Sequence, residues 1–132
     1  MKLLPPEPPV TICVLTSGDH AALARRAIGS ISRHIERSLY RMVVGANAVG
    51  IRTRRYLEKL QDRGEIDQLI FSQVNLGKCP MMRRMFEHLR SEFIWWFDDD
   101  SYVTSSEALG ERLRIARASP PTVVASPAGG WG

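Results

Sequence analysis

The sequence predicts an α/β fold, a three-layer sandwich with a mostly parallel sheet and helices on both faces. Short apolar segments rich in β-branched residues alternate about five times with segments of helical period along the chain. They follow one another at the spacing of βαβ units, in which a helix connects two parallel strands. A chain of 132 residues is long enough for one such domain with a buried core.

The element boundaries follow from these patterns and from turn residues. The predicted strands cover residues 10–15, 40–44, 66–72, 93–97 and 120–125. The predicted helices cover residues 20–37 and 51–63, a segment whose first turn holds Pro80, and a segment reaching Ala118 from the capping-box pattern at residues 104–107. The single domain, residues 10–125, follows a Pro-rich lead-in at residues 1–9 and precedes a Pro/Gly tail at residues 126–132.

Two details of the predicted helices concern capping and burial. Asp19 lies just before the first helix, where a carboxylate can accept hydrogen bonds from the free N–H groups. In the third helix, apolar residues recur at helical spacing and are expected to face the core, namely Met82, Met85, Phe86 and Leu89.

Three adjacent carboxylates, Asp98, Asp99 and Asp100, directly follow the apolar segment 93–97. Five apolar residues in a row predict a strand buried on both faces. Adjacent acids repel by about 1 kcal/mol per pair in water and about 4 kcal/mol near a protein surface. Their placement therefore favours a bound divalent cation, because Mg²⁺ and Mn²⁺ prefer oxygen ligands. The alternative is a solvated turn, since Asp is also a common turn residue.

The charge and cysteine content narrow the function class. The net charge is +4, and 15 of the 18 basic residues are Arg, spread over several segments. This favours an anionic ligand, but no stripe of aromatic and basic residues predicts nucleic-acid binding. Cys13 and Cys79 are predicted to be reduced, buried thiols of a cytoplasmic protein, which is favoured over a disulfide. No stretch predicts a transmembrane segment.

Polar residues follow each of the first four predicted strands. They comprise residues 16–18, 45–47 and 75–78, besides the Asp cluster. Ligands bind beyond the carboxyl ends of parallel strands, so we expect these segments to share one rim. A nucleoside diphosphate with a divalent cation fits such a rim, and Lys78 beside the acids is favoured as a ligand contact. Asn47 either contacts the ligand or stabilises its own turn.

Four sequence features together resemble the family-2 glycosyltransferases of the GT-A fold. They are the first strand ending in Thr-Ser, the Val-Val-Gly-Ala-Asn turn, the Asn-x-Gly-Lys turn at residues 75–78, and Trp-Trp-Phe-Asp-Asp-Asp-Ser at residues 95–101. Enzymes of this family carry an apolar strand ending in a DxD-type motif. The resemblance covers residues 10–125 and implies a truncated GT-A, Rossmann-like fold.

The resemblance also implies a site for a nucleoside-diphosphate sugar with Mn²⁺ or Mg²⁺. Asp100 would be the main metal ligand, with Asp98 as a second ligand, and Asp98 and Asp99 would lie near the ribose or sugar. Lys78 would lie near the base or diphosphate. Thr16 and Ser17 would lie along the base, and Asn47 stands where the family usually has an acid that contacts the base.

The resemblance leaves the acceptor side of the reaction open. GT-A enzymes usually need a second half that binds the acceptor and, in inverting members, supplies a general base. After Asp100 no carboxylate fits that role, because Glu107 and Glu111 belong to the last helix. The sequence therefore predicts the donor half of a larger enzyme, or a domain completed by a partner chain, acting on an unknown acceptor. Two alternatives remain, a non-catalytic nucleotide-binding module and a metal-dependent phosphohydrolase.

Overall fold

The structure, a computed structural model, describes residues 7–87, 89 and 91–118. Its strands are β1 (Val10–Ser17), β2 (Tyr40–Asn47), β3 (Gln68–Ser72) and β4 (Phe93–Asp98). Its α-helices are α1 (Ala21–His34), α2 (Ile51–Asp62), α3 (Lys78–Phe86) and α4 (Ala108–Ala118), and a short 3₁₀ helix covers Arg37–Leu39. Among the helices of these residues, none is long and apolar enough to cross a membrane.

The four strands form one sheet in the order β3-β2-β1-β4, and every neighbouring pair is parallel. The register aligns Ser17 of β1 with Asn47 of β2, and Leu15 of β1 with Asp98 of β4. The carboxyl ends of the strands therefore meet at one edge, as the sequence predicted. The fifth predicted strand, residues 120–125, lies outside the described residues.

Helices cover both faces of the sheet, which confirms the three-layer prediction. On one face, side chains of β1, β2 and β4 such as Ile12, Met42 and Phe97 pack with α1, α2 and α4. On the other face, Cys13, Leu15 and Val43 pack against Met81 and Met85 of α3.

Strand β4 differs from its prediction as a strand buried on both faces. In the described residues it is the edge strand and pairs with β1 alone. Trp95 and Phe97 are buried, whereas Ile94 is 47% exposed and Trp96 is half-buried. The reason is strand alternation, because the two exposed side chains lie on the face that the short helix α3 only partly covers.

Several helix details also differ from the prediction. No side chain caps α1, and the Asp19 carboxylate lies instead against the backbone of Gly50. In α3, Met81 and Met85 are buried, whereas Met82 lies half-buried and Phe86 exposed. The buried residues of α3 are thus Met81 and Met85, four residues apart on one face, and the predicted Met82 is replaced by Met81. Leu89 lies beyond the end of α3 and is partly buried.

The boundaries of three strands differ from the prediction by two or three residues. Strands β1 and β2 extend to Ser17 and Asn47, past their predicted ends at residues 15 and 44, and β3 begins at Gln68 instead of residue 66.

Helices α1 and α4 also differ from their predicted bounds. Helix α1 ends at His34, three residues before its predicted end at residue 37, and a 3₁₀ helix follows at Arg37–Leu39. Helix α4 begins at Ala108, and the Ser105 hydroxyl accepts a hydrogen bond from the Glu107 N–H at 3.2 Å. This local turn competes with the predicted capping box, because Ser side chains readily bond the backbone two residues on.

Candidate functional site

A cleft of about 460 Å³ opens at the carboxyl edge of the sheet. The ends of β1, β2 and β4 and the turn before α3 form its walls, and its lining residues are Leu15, Ser17, Asn47, Asn75, Gly77, Lys78 and Asp98–Asp100. Of the seven residues that the sequence placed in the site, only Thr16 is not among them. The rim expected from strand direction is therefore present.

A tight turn directs the three Asp side chains. The Ser101 N–H donates to the Asp98 carbonyl at 3.0 Å, the bond of a β-turn across residues 98–101. The turn that the sequence allowed as an alternative is thus present. All three residues nevertheless line the cleft. Turn and ligand site are compatible here.

Asp98 is the last residue of β4 and lies on the same face of the sheet as α3. Its Oδ2 is 3.3 Å from the Lys78 Nζ, and its Oδ1 accepts a hydrogen bond from the Trp96 Nε1 at 3.2 Å. The Lys78 ammonium also lies 5.9 Å from the Trp96 ring centroid. The ion pair is partly exposed and adds little to stability, so its effect is to orient both side chains.

Asp99 points toward β1. Its Oδ2 accepts hydrogen bonds from the Thr16 hydroxyl at 3.3 Å and from the Ser17 N–H at 3.4 Å. The Thr16 side chain is buried, with 1% of its surface exposed. Thr16 therefore acts on the cleft through Asp99, which it holds in place.

Asp100 has the most available carboxylate of the three. Its backbone carbonyl accepts a hydrogen bond from Arg26 at 3.2 Å. Within the part of the chain that the structure describes, its side chain makes no hydrogen bond or ion pair. It is exposed and lines the cleft. A cation or a polar ligand can therefore approach it without displacing a protein group.

Asn47 builds the wall that carries Lys78. Its Nδ2 donates to the Asn75 Oδ1 at 2.9 Å, and its Oδ1 accepts from the Leu76 N–H at 2.9 Å. The Asn75 Oδ1 also accepts from the Gly77 N–H at 2.9 Å. Gly77 has a φ of 84°, which favours glycine. Of the two roles open to Asn47, the observed contacts match turn stabilisation.

The carboxylates of the cleft can offer a divalent cation only a few oxygen ligands. Among the described residues, no group of three or more His, Cys, Asp and Glu side chains could hold a metal ion. Mg²⁺ is commonly bound by one or two carboxylates together with substrate phosphates and waters. The available Asp100 carboxylate fits this second arrangement, with Asp98 as a further ligand if it exchanges its present partners.

Cys13 is fully buried in the apolar layer between the sheet and α3 and does not line the cleft. Burial raises the pKa of its thiol to about 12 because the thiolate would be poorly solvated there. The thiol therefore stays protonated and is not a nucleophile.

The family assignment rests on sequence. A model of the family described as "Glycosyl transferase family 2" matches residues 11–129. The chain belongs to this family. No curated protein matches it in sequence.

Solved structures resemble this family-2 domain in fold. The mannosyltransferase PcManGT from Pyrobaculum calidifontis, in complex with GDP-Man and Mn²⁺, has a TM-score of 0.74 and 20% identity, covering 89% of this chain and 34% of that one. S. aureus TarS has a TM-score of 0.68 and 14% identity, covering 82% and 19%. TarS in complex with UDP-GlcNAc has a TM-score of 0.66 and 15% identity, covering 82% and 31%. The family-2 domain thus spans about a fifth to a third of the length of these structures.

Two residues that position the side chains of the candidate site were given no such role by the sequence. Trp96 holds one oxygen of Asp98, and Asn75 connects Asn47 to the turn before Lys78. Strand periodicity offered a signal for Trp96, since it lies two residues before Asp98 and hence on the same face. Asn75 was placed on the rim, but only the folded chain shows that it contacts Asn47.

Proposed function

We propose that the cleft binds a nucleoside-diphosphate sugar together with Mn²⁺ or Mg²⁺, and that the domain takes part in transferring the sugar to an acceptor. One observation carries the proposal: Asp98, Asp99, Asp100 and Lys78 line a single cleft at the carboxyl edge of a family-2 domain. PcManGT, which has a similar fold, is described in complex with GDP-Man and Mn²⁺.

The residues of the cleft have distinct roles in this proposal. Asp100 holds the metal with an available carboxylate, and Asp98 becomes the second ligand when Lys78 turns toward the diphosphate. Lys78 begins α3, so its ammonium and the partial positive charge of the helix N-terminus both favour a bound phosphate. When bound, the cation offsets the negative charge that grows on the leaving nucleoside diphosphate.

The walls of the cleft position the nucleoside in the same proposal. Asp99, held by Thr16 and Ser17, accepts hydrogen bonds from the ribose. Ser17 and Asn47 line the same cleft and would lie along the base, with an amide at Asn47 where the resembled family usually has an acid.

Acceptor binding and proton removal need groups beyond this cleft wall. Among the described residues, no carboxylate outside Asp98–Asp100 lines the cleft. The solved structures that the domain resembles are about three to five times as long as the part that it matches. We therefore place the acceptor site and the general base in further residues of the protein or in a partner chain.

Isothermal titration calorimetry tests the donor site. UDP, GDP, UDP-GlcNAc and GDP-Man are titrated into the protein with Mn²⁺ or with EDTA, using Asp100→Ala and, as a matched control, Asp62→Ala on the exposed end of α2. We expect at least one nucleotide to bind in a metal-dependent way, and Asp100→Ala alone to weaken it. The donor-site proposal fails if no nucleotide binds, or if metal and Asp100 have no effect.

Activity measurements separate the remaining alternatives. Metal-dependent binding without transfer to any tested acceptor would indicate a non-catalytic nucleotide-binding module. Hydrolysis of a generic phosphomonoester that Asp100→Ala abolishes would instead favour a phosphohydrolase.

A further inference from the structure

A second cleft of about 460 Å³ lies between α1 and the segment that follows the Asp turn. We call it the α1 basic pocket. Its lining includes four basic side chains, Arg25, Arg26, Arg33 and His34, all from α1. The opposite wall is formed by residues 102–104. The cleft at the carboxyl edge of the sheet, which Asp98–Asp100 and Lys78 line, is called the donor cleft below. The α1 basic pocket is separate from it, since the two share no lining residue.

The α1 basic pocket concentrates positive charge without a counter-charge. Helix α1 contains no Asp or Glu, and no acidic residue lines the pocket. Within the described part of the chain, neither Arg25, Arg26 nor Arg33 forms an ion pair. A group of cationic side chains without a nearby acid creates a positive potential that favours an anion.

The geometry of the pocket is fixed by contacts to the rest of the domain. Arg26 and Arg33 are seven residues apart and so lie on one face of α1, about 10 Å apart along its axis. The Arg26 guanidinium lies 4.5 Å from the Tyr102 ring centroid. The buried Ser30 hydroxyl accepts the Val103 N–H at 2.9 Å, which ties the opposite wall to α1. Arg26 therefore faces a wall that is already in place, and the Arg25 guanidinium lies 5.1 Å from the Tyr56 ring centroid of α2.

We propose that the α1 basic pocket binds a phosphate group, either free in solution or carried on a lipid headgroup. Arg guanidinium groups match phosphate oxygens in geometry and charge. Three arginines line this pocket, Arg25, Arg26 and Arg33. Arg26 also donates to the Asp100 carbonyl, so a phosphate held by Arg26 bears on the turn that carries the donor carboxylates. The site takes a phosphate without a metal, unlike the donor cleft.

Phosphate titration in EDTA, without nucleotide, tests this site independently of the proposed donor function. Calorimetry measures the binding of inorganic phosphate to the wild type, to the Arg25→Gln/Arg33→Gln double variant, and to the Arg52→Gln/Arg55→Gln double variant. The last pair lies on α2, is exposed, and changes the net charge equally. We expect affinity to fall on the order of tenfold in the α1 variant only. Circular dichroism confirms that each variant is folded.

Two further experiments decide where the phosphate binds and whether it is free or carried on a lipid. Lys78→Met should leave phosphate affinity unchanged; if it removes binding while the α1 variant does not, the anion lies in the donor cleft and the proposal is wrong. Absent phosphate binding, or equal loss in both double variants, also overturns it. Co-sedimentation with phosphatidylcholine vesicles, with and without phosphatidic acid, identifies a lipid headgroup if the α1 variant loses that binding. Otherwise the source is soluble.

Discussion

The donor cleft and the α1 basic pocket lie on either side of residues 98–104, yet their charges are opposite. The donor cleft has three carboxylates and one lysine, and Lys78 is already paired with Asp98. The α1 basic pocket has three arginines and a histidine with no acid. We therefore propose that the first accepts a diphosphate only when a cation offsets its carboxylates, and that the second accepts a phosphate directly. Metal dependence therefore separates the two regions.

Metal removal is expected to have the largest effect and to act on one region only. EDTA should weaken nucleoside diphosphate binding by about a hundredfold, because the carboxylates then repel the phosphates without compensation. Inorganic phosphate binding at the α1 basic pocket should be unchanged. Calorimetry with both ligands measures this contrast. If EDTA weakens both equally, the two regions are not distinct in the way that their charges indicate.

Asn47→Ala should act on the donor cleft through its wall. The variant leaves the Leu76 N–H without its partner and removes one of the two hydrogen bonds to the Asn75 Oδ1, which costs about 1–3 kcal/mol of unfolding free energy. Donor affinity should fall as the turn before Lys78 loosens. Phosphate affinity should stay at its wild-type value. Thermal and urea unfolding measure the stability change, and an unchanged midpoint would contradict the structural role of Asn47.

Trp96→Phe should weaken donor binding more modestly. An aromatic ring remains, but the hydrogen bond from the Trp96 Nε1 to Asp98 is lost. A hydrogen bond to a charged group is worth about 1.5–3 kcal/mol. Because this one is only partly buried, we expect about 1 kcal/mol. We expect roughly a fivefold loss of metal-dependent nucleotide affinity. Trp95→Phe is a poor control because Trp95 is in the core. Exposed Tyr102→Phe, which keeps its ring over Arg26, is better and should leave nucleotide affinity unchanged.

Thiol labelling gives the smallest effect and reports on the donor cleft alone. Cys79 is exposed beside Lys78, not buried as the sequence predicted, and should react with a thiol reagent in the native protein. Buried Cys13 should react only after unfolding. Nucleotide with Mn²⁺ should slow Cys79 labelling, and phosphate should not. Mass spectrometry of labelled peptides measures both sites. Rapid native labelling of Cys13 would contradict its burial.

The raised pKa of Cys13 makes the free energy of unfolding fall with increasing pH in the alkaline range. Because burial raises the pKa of the folded thiol to about 12 from its ordinary 9.0, its contribution to stability is fully present below pH 9.0. It is lost as pH rises from 9.0 toward 12, where the unfolded chain alone releases the proton. Comparing the free energy of unfolding of the wild type with that of Cys13→Ala across this pH range measures the contribution of the Cys13 thiol.

Much of the fold and the rim could be predicted because they depend on local patterns. Strand-helix alternation predicts a parallel sheet, and parallel strands bring their carboxyl ends to one edge. This is why Ser17, Lys78 and the Asp cluster were placed together from sequence alone. The family resemblance was confirmed by the match over residues 11–129.

The rest depends on contacts that sequence periodicity does not specify. The apolar run of β4 could not reveal that β4 is the edge strand of the described sheet, because strand order is a tertiary property. The pairing of Asp98 with Trp96 requires particular rotamers. The arginines of α1 looked scattered along the sequence, and only the fold sets residues 102–104 opposite them. The predicted cytoplasmic location and the boundaries of the lead-in and tail stay predictions.

The central claim is that Asp100 holds the cation that joins a nucleoside diphosphate to this domain. The most direct test is a cycle of four calorimetric titrations with GDP or UDP, using wild type and Asp100→Ala, each with and without Mn²⁺. We predict that Mn²⁺ strengthens binding to the wild type and that this gain is lost in Asp100→Ala. An equal gain from Mn²⁺ in both proteins would contradict the claim.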